Sequence, residues 1–476
     1  MDPQANHLRR PPTVSATAMV ATSQAAATQA GLRALERGGT AADAAVAAAA
    51  VLCVTEPMSI GIGGDAFAIV WDGEAVHGLD AAGPAPRSAD PDGPIEQRGP
   101  RSTTVPGSVA GWGELLSRFG ALGLDRALQD AIDMAERGVA AGVRVAEMWA
   151  RRGGPSEPGE TPRVGSTYRL PKLGRTLRKL AEHGPSALYH GEIAAAIAAS
   201  TWLEESDLAD YAPQWVEPLC VQYRDAVVYE LPPPTQGVAA LEALGMLALE
   251  EPTLEAQVRA VRLALEDAFA HVRDGADVSP LLEPEYLAAR ARTAAPAVTE
   301  PLSGTAYLCV VDESGMAVSF IQSLYEGSGV EAPGTGIHMH NRAGCFEVNG
   351  KIEPGRRPYH TLIPGLLVRD GALLGPFGVM GALIQAQAHV QLVSSLIDDR
   401  LDPQAALDRP RFRVDGDAIR LEEGMWESAE ALKPLGGEVV QSSDWLEFGS
   451  GQAILREGEV LVGGSDSRRD GYAGVL

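Results

Sequence analysis

The chain has 476 residues, with 63 acidic against 39 basic side chains and a formal net charge of −24; so acidic a balance argues against nucleic acid or an anionic membrane as partner, since both are bound through basic patches. A hydrophobic content of 45% supports a large buried core and argues against a disordered chain. Cys53, Cys220, Cys309 and Cys345 are widely spread and form no C-x-x-C pair, which argues against a disulfide framework or a zinc ribbon.

Taken in chain order, Arg9 and Arg10 are followed by no apolar segment, so no secretory leader is expected and the cytoplasm is the expected compartment. Ser23 is expected to cap a helix through Ala25, Leu32 and Leu35 that stops at Gly38-Gly39, and Thr40 to cap a second from Ala41 to Val54. The longest apolar run, Ala44 to Val54, is far short of the roughly 20 residues a membrane helix needs. Ala66 to Trp71 and Ala75 to Leu79 read as strands joined by an Asp72-Gly73 turn. Helices are expected from Pro106 to Phe119, Leu124 to Glu136, Thr176 to Glu182 and Gly191 to Ser200, with Arg151 to Pro171 as exposed loop. Ala226 to Leu231 reads as a strand, followed by helices from Val238 to Leu249 and Ala256 to Arg273.

Thr293 to Leu302 has no period and reads as a linker. After it the texture turns strand-rich. Tyr307 to Val311, the turn Asp312-Glu313-Ser314-Gly315 and Met316 to Ile321 read as a β-hairpin with Thr305 at its mouth. Further strands are expected at Gly336 to His340, Leu362 to Val368, Ala372 to Leu374, Phe412, Ile419 and Gly451 to Leu455, and a helix from Gln385 to Leu396. The fold class is therefore α+β with a layered sheet core.

Single motifs are weak. No nucleotide loop, H-E-x-x-H or G-x-S-x-G occurs. His338-Met339-His340 reads as polar residues on a solvated strand face before it reads as a metal pair. Gly375 to Ala382 reads as a turn into a helix, whose exposed N–H groups would suit an anion or oxyanion, with a plain tight turn as the competing reading.

Several stretches in order resemble the γ-glutamyltranspeptidase family: Gly38-Gly39-Thr40-Ala41-Ala42-Asp43, Val54-Thr55-Glu56-Pro57 with Gly61-Ile62-Gly63-Gly64-Asp65, Val105-Pro106-Gly107-Ser108-Val109-Ala110-Gly111, Thr305 with Asp312 and Gly315, Asp408-Arg409-Pro410-Arg411-Phe412, and Gly464-Ser465-Asp466-Ser467-Arg468. The resemblance implies a four-layer αββα sandwich of the N-terminal nucleophile hydrolase type. It implies autocleavage between Gly304 and Thr305 into a mainly helical fragment 1–304 and a fragment 305–476, which remain one structural domain as a heterodimer. By the same resemblance, Thr305 is the nucleophile and its freed α-amine the base, Ser323 is the second hydroxyl, and the backbone N–H groups of Gly381 and Ala382 form the oxyanion hole.

The substrate pocket departs from the family's pattern. Asp80 stands nearest in register to the family's carboxylate-binding Arg, Cys345 replaces the Asp that takes an α-amine, His360 and Thr361 replace paired Ser, and Tyr325 replaces an Asn. Arg342, Arg356, Arg357 and His360 are candidate replacements, against the reading of the arginines as surface residues in a loop. The expected function is a self-processing amide hydrolase or acyltransferase of γ-glutamyl type, using a small amide with water or an amine as acceptor and no metal or organic cofactor. The alternatives are an amidohydrolase or acylase on a non-glutamyl acyl group, of the oxamate or cephalosporin-acylase kind, and an uncut, inactive binding protein.

Overall fold

In a computed structural model that describes residues 10–293 and 304–476, all residues of the hairpin strands Gly304–Val311 and Ala317–Tyr325 are buried. A strand apolar on both sides must be covered on both sides. The hairpin is central in an antiparallel seven-stranded sheet, ordered Tyr472–Val475, Met19–Thr22, Gly304–Val311, Ala317–Tyr325, Asp65–Trp71, Val76–Ala81, Gln214–Val216. A second antiparallel sheet of seven runs Thr13–Ser15, Val460–Ser465, Ser450–Glu457, Ala372–Met380, Gly365–Arg369, Ala226–Glu230, Leu219–Tyr223.

Alternation of side chains along the strands sorts the apolar residues into separate cores. Met19, Phe67, Ile69, Tyr307, Cys309 and Ile321 of the first sheet meet Leu366, Val368, Met380 and Ile454 of the second. The opposite face of the first sheet, with Ala306, Leu308, Val310 and Phe320, packs on the helices Ala25–Glu36, Ala41–Thr55, Ser108–Phe119 and Leu124–Arg137. The outer face of the second, with Val228, Leu367, Phe377 and Val379, packs on Gly237–Leu247, Leu254–His271 and Ile384–Ile397. The sheets approach closely at Gly378, where a Cβ would lie 2.4 Å from the Tyr307 ring.

Ala41–Thr55 is buried on every side, and its small residues let the neighbouring helix and sheet come close. Thr40 and Asp43 form a reciprocal capping box at its start. The Ala41 N–H is one of the donors a helix leaves unsatisfied, and it donates to Asp312 Oδ2 at 2.8 Å. The other oxygen of Asp312 accepts from the Ser314 N–H and hydroxyl and the Met316 N–H, at 2.9, 2.6 and 3.2 Å. One carboxylate thus holds the hairpin turn against the helix.

The expected elements differ from the structure in several places, among them the strands Met19–Thr22 and Tyr472–Val475, which the sequence pattern does not announce. Gln24, not Ser23, is the N-cap of Ala25–Glu36, and it makes no side-chain cap. A helix, Val143–Arg152, enters the expected loop, and the helix expected from Thr176 starts at Pro171. The strand expected to end at Leu374 continues to Met380, so the turn narrows to the residues just before the helix at Ile384. Most of the linker reading falls on residues 294–303, outside the described residues. Among the described residues no helix is long and apolar enough to cross a membrane.

Asp312→Ala leaves the buried Ala41 N–H and the partly exposed donors of the turn without their acceptor and is expected to destabilise the protein by about 1–3 kcal/mol, read as a lower urea midpoint. An unchanged midpoint would show that the turn does not depend on this carboxylate.

Candidate active site

Thr305 lies where the hairpin ladder slips: Gly304 pairs with Tyr325, whereas Ala306 pairs with Gln322. Such an irregularity re-aims a side chain at a sheet's edge or mouth. Thr305 is 1% exposed. Its hydroxyl donates to Ser323 Oγ at 3.3 Å, Ser323 Oγ donates to the Gly304 carbonyl at 2.6 Å, and the Tyr325 N–H donates to Ser323 Oγ at 2.7 Å. Two acceptances and one donation use the full capacity of the Ser323 hydroxyl. One oxygen therefore touches both the hydroxyl of Thr305 and the carbonyl immediately upstream of it.

A Cβ at 304 would lie 2.6 Å from Arg152 Nη1, so a side chain there would displace that guanidinium. That nitrogen is buried and has no hydrogen-bond partner among the described residues, and burial, with Arg469 nearby, lowers the Arg152 pKa to about 10. Two residues beside the junction carry unusual backbone angles, Tyr325 with φ +59° and Ala382 with φ +66°. Non-glycine residues in this region cost of order 1–3 kcal/mol each and persist where surrounding structure enforces them. Ala382 follows Gly381 in the turn into the helix Ile384–Ile397, and it packs with Tyr325 and Cys345 in one small buried cluster.

Arg342 completes this cluster. Its guanidinium carbon stands 4.5 Å from the centre of the Tyr325 ring, and its Nη1 donates to Thr361 Oγ1 at 3.2 Å and to Cys345 Sγ at 3.7 Å. Burial raises the Cys345 thiol pKa, so the thiol is neutral. Gln236 Nε2 joins the Thr361 and Ala382 carbonyls at 2.8 and 3.2 Å, a positioning role that its place in a Pro-rich loop did not signal.

The other sequence candidates lie elsewhere. Asp80 pairs with Arg357 Nη1 at 2.5 Å, and Arg357 also binds Asp274; burial raises the Asp80 pKa to about 6, so the carboxylate is ionised at neutral pH. Arg356 is exposed. His360 faces Asp65, with Nε2 3.2 Å from Oδ2 and Nδ1 accepting the Leu362 N–H at 3.3 Å. Both its nitrogens are occupied inside the protein, so it acts as a strut between strands. His340 is fully buried, not solvated, with Nδ1 3.2 Å from Asp65 Oδ2 and Nε2 2.8 Å from the Thr104 carbonyl. Asp65 also accepts from the Gly83 and Gly107 N–H groups. Burial opposes its ionisation, but His340 and His360 outweigh that and hold the carboxyl below its usual range.

The sequence pattern of the γ-glutamyltranspeptidase family matches residues 27–476. The oxamate amidohydrolase proenzyme of Klebsiella pneumoniae subsp. pneumoniae is 34% identical, covering 97% of this chain and 98% of that protein. A glutathione hydrolase-like proenzyme of Bacillus subtilis is 32% identical, covering 96% and 98%. The crystal structure of cephalosporin acylase from Bacillus halodurans superposes with a TM-score of 0.91 at 37% identity, covering 100% and 99%. The protein is thus an enzyme with the mixed α and β fold of these structures. More particularly, the chain belongs to the γ-glutamyltranspeptidase family.

Burial, and after it the charge of Arg342, lowers the His360 pKa from 6.5 to about 3. The unfolded chain therefore takes up a proton near pH 6.5 that the folded chain refuses. The contribution to stability is complete above pH 6.5 and is lost as pH falls towards 3, by up to about 1.4 kcal/mol per pH unit. Between pH 7 and 5 the unfolding free energy of His360→Asn is expected to fall less steeply than that of the wild type; equal slopes would contradict a neutral buried His360.

Proposed function

We propose that the protein is a self-processing amidohydrolase with Thr305 as nucleophile, acting on an amide whose acyl group is not γ-glutamyl. The observation that carries this reading is the Ser323 hydroxyl held between the Thr305 hydroxyl and the Gly304 carbonyl. In the first step Thr305 Oγ attacks the Gly304 carbonyl carbon while Ser323 polarises its oxygen. The C–N bond breaks, the hydroxyl proton passes to the departing Thr305 nitrogen, and an ester joins Gly304 to Thr305. Water hydrolyses the ester, giving a carboxylate on Gly304 and a free amine on Thr305.

That amine has an ordinary pKa of about 7.7–8.0 and serves as base for its own hydroxyl, so one residue supplies both base and nucleophile. In turnover Thr305 Oγ attacks the substrate carbonyl, and the amine leaves with the proton. Water or an acceptor amine then takes the acyl group from Thr305. Gly381 and Ala382 are the proposed donors to the oxyanion, a role in which one backbone N–H is worth about 10²–10³ in rate.

Fragments 1–304 and 305–476 are proposed to stay together as one αββα sandwich. Met19–Thr22 pairs with Gly304–Val311, and Asp65–Trp71 with Ala317–Tyr325, so strands of one fragment flank the hairpin of the other. Against a γ-glutamyl substrate stand the occupation of Asp80 by Arg357 and the neutral Cys345. A glutamyl ammonium and carboxylate would each lose a charge-assisted bond, worth about 1.5–3 kcal/mol. Similarity to an oxamate amidohydrolase and a cephalosporin acylase supports the same choice.

Purified protein is expected to resolve on a denaturing gel into two fragments, the second beginning at Thr305. Thr305→Ala is expected to remain whole, Ser323→Ala to cut at least about tenfold more slowly, and the cut wild type to leave γ-glutamyl-p-nitroanilide intact. Cleavage of Thr305→Ala at the same bond would remove Thr305 from the reaction, and rapid release of p-nitroaniline would restore the γ-glutamyl reading.

A further inference from the structure

Arg152 sets a cation against the residue that self-cleavage turns into an acid. It is the last residue of the helix Val143–Arg152, whose start is fixed by the Asp470 carboxylate, which accepts the Arg144 and Val145 N–H groups at 2.9 and 3.2 Å. Val145, Met148 and Trp149 of this helix are buried, and the Trp149 and Tyr168 rings meet edge to face with centroids 5.1 Å apart. A helix anchored at its start and along its apolar face delivers its last side chain to a defined place. That place is Gly304, where a Cβ would lie 2.6 Å from Arg152 Nη1 and 3.3 Å from the Cα of Ser59.

Arg152 Nη1 and the Ser59 hydroxyl are both buried without a partner among the described residues. The acidic groups within electrostatic reach of Arg152 are Glu326 and Asp444, and Asp444 is bound by Arg151 Nη1 at 2.9 Å. Arg469 and Arg151 add charge of the same sign, yet with a pKa of about 10 the Arg152 guanidinium stays protonated at neutral pH. Arg342 is placed differently: its unpartnered Nε and Nη2 form a free edge, but the guanidinium lies on the Tyr325 ring and is held there by Thr361 and Cys345.

All the negative charge formed in self-cleavage falls on Gly304. Attack by Thr305 Oγ turns the carbonyl oxygen into an oxyanion, which collapses by expelling the Thr305 nitrogen with the hydroxyl proton. Water then adds to the ester carbon and forms a second oxyanion. Its collapse expels Thr305 Oγ, which keeps one proton of the water, while the other passes to the new amine and Gly304 is left as a carboxylate. Ser323 gives the Gly304 oxygen one neutral donor. A cation already fixed beside developing charge needs no reorganisation, and away from water its effect is large.

We propose that Arg152 supplies the countercharge for self-cleavage, stabilising the oxyanions and the carboxylate that form on Gly304. The proposal rests on the self-processing reading and adds to it the group that bears the charge. An uncompensated buried cation detracts from stability, so removing this one slows the cut without weakening the fold.

The test follows chains made by cell-free synthesis on a denaturing gel. Arg152→Met, which keeps the length and removes the charge, is expected to cut at least about tenfold more slowly than the wild type, and Arg152→Lys to fall between them. Tm is compared in the Thr305→Ala background, so that uncut chain is measured against uncut chain. There Arg152→Met is expected to leave Tm unchanged or raise it, whereas loss of a merely structural arginine would lower it. Methylguanidinium at millimolar concentration is expected to speed the cutting of Arg152→Ala and to leave Thr305→Ala whole. Should Arg152→Met lose its fold, the Arg152→Lys rate and the methylguanidinium response of Arg152→Ala decide. Equal rates in the wild type and Arg152→Met would overturn the proposal and leave the self-processing reading intact. Slow cutting with a lowered Tm and no gain from Arg152→Lys or methylguanidinium, the pattern of a structural residue, would overturn it too. A wild type that stays whole would end the self-processing reading and the proposal with it.

Discussion

The Ser323 hydroxyl, shared between the Thr305 hydroxyl and the Gly304 carbonyl, is the contact on which the rest of the structure converges. It exists because the ladder slips by one residue between Gly304 and Ala306, and because Tyr325 accepts a left-handed backbone that turns its N–H onto Ser323. Neither distortion would persist in an isolated hairpin, where each costs more than local contacts return. Here the strands are flanked by Met19–Thr22 and Asp65–Trp71, backed by the Ala-rich helix and tied at the turn by Asp312. The geometry around Thr305 is thus a product of tertiary packing.

Buried charge around the site divides by whether it is compensated. Asp65 is surrounded by backbone N–H groups and imidazoles, and it joins Gly83, Gly107, His340 and His360 into one polar node between chain segments far apart in sequence. Asp80 and Arg357 neutralise each other. Removing either member of such a pair leaves an uncompensated buried ion, which costs more than the pair itself contributes. Arg152 and Arg342 are the exceptions beside the junction, each with a buried nitrogen that has no partner among the described residues. A buried guanidinium nitrogen without a partner costs free energy that the compensated pairs do not.

Much of this was legible in the sequence because it depends on short-range rules. The Asp312-Glu313-Ser314-Gly315 turn between two apolar runs specified the hairpin, and Thr40 with Asp43 specified a helix start. Gly375 to Met380 was misread because its Gly-Pro-Phe-Gly composition signals a turn, whereas Gly378 serves to admit the Tyr307 ring between the sheets. The strands Met19–Thr22 and Tyr472–Val475 have four residues each, too few for a period to emerge. Family resemblance points to Thr305 and Ser323, and the fold places their hydroxyls 3.3 Å apart. The free edge of Arg342, the occupation of Asp80 by Arg357 and the bridge made by Gln236 depend on residues brought together by the fold, so no spacing along the chain announces them.

The proposed chemistry requires Thr305 to carry the acyl group during turnover. Acid quenching of the cut enzyme during hydrolysis of an amide, followed by mass spectrometry of its peptides, tests this directly. The result predicted is a mass increase equal to the acyl group on the peptide that begins with Thr305, lost on treatment with mild base as an ester would be. Acyl mass on any other residue, or a free Thr305 throughout a quenched burst of amine release, would contradict it.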